Sequence, residues 1–100
     1  MTPYEQSIES GKEVVRGILR HLAIELQEPK VKELSFKVTD QDFDDRVSLK
    51  DKQLNIVTKI MNDDLADCLE DVVVLRKLEA QLRQAIRAYC APKPRTDFSN

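Results

Sequence analysis

Five aspartates fall within twelve positions, Asp40, Asp42, Asp44, Asp45 and Asp51, and their alternation makes this the stretch most like a site that could do chemistry. Carboxylate oxygens at alternating positions are what a hard divalent cation such as Ca²⁺ takes as ligands. The other candidates are isolated. His21 is the sole histidine, and Glu25 stands four residues on, so an ion pair along one helix face accounts for it. Work as a general base would need a nucleophile or a second carboxylate at a matching spacing, and none is present. Cys68 and Cys90 form no CxxC, and one histidine cannot complete a zinc set with them. If both lie in one helix they stand about 33 Å apart, far outside disulfide reach. Both are therefore expected as reduced thiols. No catalytic constellation emerges, so neither an enzyme nor a bound cofactor is expected.

The segment from Asp40 to Asp51 resembles an EF-hand calcium loop. Asp40, Asp42 and Asp44 occupy its first three ligand positions, Val47 the apolar position, and Asp51 the last. The resemblance implies Ca²⁺ held by those four aspartates. The chain departs from the pattern where the loop is most demanding. Asp45 replaces the glycine of the sharp turn, and Asp51 is shorter than the glutamate that binds with both oxygens. The apolar positions after Asp51 are out of phase, and there is no second loop to pair with. A solvated acidic turn is the simpler expectation, with a divalent-cation-responsive module as the alternative.

Charge and composition narrow the remaining classes. The formal net charge is −2, whereas a protein that lives on phosphate backbones needs a basic surplus. Basic residues collect late in the chain, at Arg76, Lys77, Arg83 and Arg87, and continue at Lys93 and Arg95. A dimer that contacts nucleic acid through that end is a further alternative, although nucleic acid is not the expected partner. Five aromatic residues, none of them tryptophan, offer little for a small-molecule pocket or a base-stacking platform. The first residues lack the basic start and apolar run of a signal peptide, and no apolar stretch nears the ~20 residues of a membrane span. A cytoplasmic protein without membrane contact is expected.

Two amphipathic helices must position whatever site exists. Thr2-Pro3-Tyr4-Glu5 reads as a capping box with proline at the first helical position. Tyr4, Ile8, Gly11, Val15, Ile18 and Leu22 then recur at helical spacing, with Leu19 and Leu26 beside them, until Pro29 stops the run. Asn62-Asp63-Asp64 reads as a cap and acidic first turn for a second helix over 63–90. Leu65, Cys68, Val72, Leu75, Glu79, Leu82, Ile86 and Tyr89 form its heptad seam. Acids early and bases late suit the helix dipole, with Glu79–Arg83 as an added pair. Seams of matched length predict helices packed along one another. Gly11 and Gly17, the only glycines, lie inside the first helix, where close approach of another backbone would justify them.

Between the helices, Leu34, Phe36 and Val38 alternate with polar residues, as do Val47 and Leu49, and then Leu54, Ile56 and Ile60. Lys50 to Gln53 supplies a turn. The expectation is an α+β fold in which two long helices flank a small antiparallel sheet of two or three strands. An all-α bundle is the alternative, because Ser48 to Asp51 also fits a capping box. Residues 1–90 form one domain, and 91–100, with Pro92 and Pro94, a flexible tail.

These features predict a small non-enzymatic protein-interaction module, regulatory or accessory in role and homodimeric. Val73 and Val74 lie off the seam and are candidate interface residues, together with Arg83 and Arg87 at the basic end.

Overall fold

The computed structural model describes residues 2–37 and 45–91. Helix α1 spans Pro3–Glu25. Its start is the capping box read from the sequence: the Glu5 N–H donates to Thr2 Oγ1 at 3.2 Å, and the Thr2 N–H donates to Glu5 Oε1 at 3.1 Å. Ile8, Gly11, Val15, Leu19, Leu22 and Ala23 make the buried face. Leu19 thus takes the place expected of Ile18, and Tyr4 remains 48% exposed. Gln27 adopts φ 55°, which turns the chain out of α1 and into a 3₁₀ turn over Pro29–Glu33.

Three strands follow, β1 (Ser35–Phe36), β2 (Arg46–Lys50) and β3 (Ile56–Met61), in the order β1-β2-β3 with antiparallel pairing throughout. Val47 opposes Ile60, and Leu49 opposes Thr58. The β2–β3 turn is organised by Asp51, whose Oδ1 accepts the N–H groups of Gln53 and Asn55, both at 2.9 Å. Leu54 in that turn has φ 66°, an uncommon conformation for a branched residue, and its side chain is exposed. The fold is therefore α+β, and Ser48 is a buried strand residue, not a helix cap.

The expected single helix over 63–90 is corrected. Helix α2 spans Asn62–Asp67 and α3 spans Val72–Cys90, with a corner between them. At that corner Asp71 is extended and its Oδ1 accepts the Val73 N–H at 2.9 Å, so it caps a new helix instead of continuing the old one. The expected cap at Asn62–Asp64 is not used as one: Met61 occupies the cap position, without a side-chain hydrogen bond, and β3 runs straight into α2. The break changes which residues are buried. Leu65 and Cys68 remain in the core, but in α3 the buried residues are Leu78, Leu82 and Ile86, while Val72 is 59% exposed. The two cysteines no longer share a helix, and both are free thiols.

Gly11 explains how α2 crosses α1. A Cβ there would lie 2.1 Å from the carbonyl oxygen of Leu65, which no side chain permits. At the same crossing the Tyr4 hydroxyl donates to Asp63 Oδ1 at 2.6 Å. Helix α3 lies on the sheet and beside α1, and one core holds Val15, Leu19 and Leu22 of α1 with Leu49, Ile60, Leu78, Leu82 and Ile86. Val38, Asp40, Asp42, Asp44 and the tail from Pro92 to Asn100 lie outside the described residues. No helix among the described residues is long and apolar enough to cross a membrane.

Candidate functional site

Helix α3 is held on two sides. Toward the sheet, Gln81 Nε2 donates to the Lys59 carbonyl oxygen at 2.7 Å and to Thr58 Oγ1 at 3.1 Å, covering a polar group of the edge strand β3. Toward α1, Arg83 Nη1 forms an ion pair and hydrogen bond with Glu25 Oε2. That hydrogen bond, with the nearby charges of His21 and Arg87, holds the Glu25 carboxyl below its usual range against an opposing effect of burial, and it pushes Arg83 up in turn. His21 Nε2 lies 3.4 Å from Glu25 Oε1, as its spacing predicts. Arg83 therefore bridges the two helices, where the expected partner was Glu79 on its own helix.

Between these fastenings the helices do not close. Val14, Gly17, Ile18 and His21 of α1 and Leu75, Glu79 and Arg83 of α3 line an open groove of about 370 Å³. Its walls are mainly apolar, and its charged residues lie toward one end. Gly17 has no atom within 4 Å of where a Cβ would stand. Nothing among the described residues thus requires a glycine there, although one inside a helix costs about 1 kcal/mol against alanine. Leu69, Val72 and Val73 are exposed apolar residues at the α2–α3 corner, at 57, 59 and 71% exposure.

The residues singled out in the sequence distribute unevenly over this surface. Arg83 lines the groove and Arg87 faces Glu25 from the next turn. Val73 is exposed beside the corner, whereas Val74 is half-buried and packs on the core. Leu75 and Ile18, read as seam residues, pack half-buried at the edge of the core and line the groove, where Glu79 stands exposed. Gly17, like Gly11, was expected where another backbone comes close, and among the described residues only Gly11 meets one. The place of Gly17 in a groove depends on how α3 turns after Asp71, which no local pattern encodes.

Asp51 has a structural role in this fold. Besides the two backbone bonds at Oδ1, its Oδ2 accepts Asn55 Nδ2 at 3.2 Å and the Tyr89 hydroxyl at 3.3 Å. Burial works to raise its carboxyl, but the hydrogen bonds from Asn55, Gln53 and Tyr89 together outweigh burial and hold it below the usual aspartate range. Both oxygens are thereby engaged within the chain, and the turn is fastened to the end of α3. Lys30 stands 5.0 Å from the Tyr89 ring centre on the other side. Among the described residues no three His, Cys, Asp or Glu side chains gather as a metal set. Burial pushes both thiols above their usual value, which works against a reactive thiolate at neutral pH.

Compared with known proteins, the chain matches no family model, no curated protein and no solved structure.

Proposed function

We propose that this protein is a small non-enzymatic interaction module, a cytoplasmic regulatory or accessory protein that works as a homodimer through the α1–α3 face. The observation that carries this reading is the open apolar groove with Gly17 on its wall. The exposed parts of the half-buried Val14, Ile18 and Leu75, with Val72 one turn before Leu75, lose free energy to water at about 25 cal/mol per Å² of apolar surface. A second copy laid on them removes that cost. A glycine that none of the described residues needs also gains a purpose, because it lets another chain approach the α1 backbone closely.

Gly17→Gln separates binding from folding. The site is open and helical, so the variant should be more stable as a monomer by up to about 1 kcal/mol in chemical denaturation. Its side chain enters the groove, so its mass in light scattering should fall toward that of one chain. Unchanged self-association in a folded Gly17→Gln variant would remove the groove from the interface.

A further inference from the structure

The charges bordering the groove specify how a second copy would lie on it. Tyr4 meets Asp63, Gly11 meets Leu65, and Glu25 meets Arg83, so the chain from α2 through α3 runs in the same sense as α1. Along that direction Asp63, Asp64, Asp67, Glu70 and Asp71 come first, and Arg76, Lys77, Arg83 and Arg87 follow. Within the chain Lys77 pairs with Asp64 and Arg83 with Glu25, while Glu70 and Asp71 at the start of the run and Arg76 after them make no ion pair among the described residues.

The side of α3 next to the groove carries a finer pattern. Val72, Arg76, Glu79 and Arg83 follow at four-, three- and four-residue steps and form a single stripe on the helix surface. Arg76 and Glu79 are both exposed, and neither makes an ion pair among the described residues. A closed pair of identical chains must be self-complementary: if one residue meets a second, the second meets the first across the axis.

Building on the proposed homodimer, we infer that two copies of this chain pack α3 against α3 in opposite directions, each Arg76 facing the Glu79 of the other copy. The two-fold axis then passes beside Lys77 and Leu78. Val72 of each copy falls opposite Arg83 of the other, over whose aliphatic stem it packs. The acidic corner at Glu70 and Asp71 comes within about a turn of the other copy's Arg83 and Arg87. Docking in the same direction instead sets acid against acid and base against base, which disfavours it. The occupant of the groove face is therefore a second copy, in one orientation.

A charge exchange in the full-length chain tests this by sedimentation equilibrium, with circular dichroism as the check on folding. R76E sets two acids against each other twice over, and E79R does the same with two bases. Each single variant should weaken self-association by about tenfold. The double variant R76E/E79R restores opposite charges across the axis and should return to within about threefold of the wild type. A wild-type dimer whose double variant is no tighter than the singles would overturn this orientation and leave the dimer standing. A wild-type monomer at roughly 100 µM would overturn both the orientation and the proposed function beneath it.

Discussion

Gly11 and Gly17 lie six residues apart on α1 and answer opposite demands. At Gly11 the obstacle to a side chain is the Leu65 backbone, 2.1 Å from a Cβ, and a backbone cannot swing aside as a long side chain can. Gly11→Ala must push α2 off α1, and it should destabilise the protein by roughly 2–4 kcal/mol in urea unfolding. Wild-type stability in that variant would mean that the crossing is looser than described. Both glycines were legible as costly residues in a helix, because composition alone marks them. Which of them was required for packing was not legible, since the answer depends on a carbonyl more than fifty positions away in the chain. Asp51 makes the same point. Its place in an aspartate-rich stretch suggests a ligand, but its oxygens are engaged by Gln53, Asn55 and Tyr89.

At the scale of elements, α1 and the sheet followed from local signals. The capping box, the stripe from Ile8 to Leu22 and the strand signals at Leu49 and Ile60 each act over a few residues, and the structure keeps them, but Leu54 and Ile56 of the expected alternation are exposed and Ser48, Leu49 and Lys50 are buried in succession. The second helix did not follow, because heptad spacing runs unbroken from Leu65 to Tyr89 even though the chain turns at Asp71. Two local preferences compete there. Apolar spacing favours one rod, whereas Asp71 gains a backbone hydrogen bond by capping a new helix at Val72. The cap prevails: Leu65, Cys68, Leu82 and Ile86 of the expected seam stay buried, while Val72 is exposed and Glu79 lines the groove. Asp71→Ala removes that bond and should cost about 1 kcal/mol in thermal or chemical unfolding. A helical signal that rises in circular dichroism, with no loss of stability, would show that α2 and α3 can fuse and that the cap does not set the corner.

For the whole molecule, acid should be the weak side. The Glu25 and Asp51 carboxyls sit below their usual values in the folded protein, which means that folding favours their ionised forms. The stabilisation they give is complete above the unfolded values of 4.5 and 3.8 and is lost as pH falls through the lower folded values. The melting temperature should therefore hold from neutral pH down to about pH 5 and then decline. Asp51→Asn should flatten that decline, and an identical acid limb in the variant would assign the loss elsewhere. The same ions shape the exterior, because the Glu25–Arg83 pair closes one end of the groove and leaves the apolar strip beside it uncovered.

Mass in solution, followed by light scattering through a dilution series of the wild-type chain, tests the central claim most directly. If the α1–α3 strip is covered by a second copy, the particle should weigh roughly twice 11.5 kDa and fall apart on dilution. A single-chain mass that holds across the whole series would contradict it.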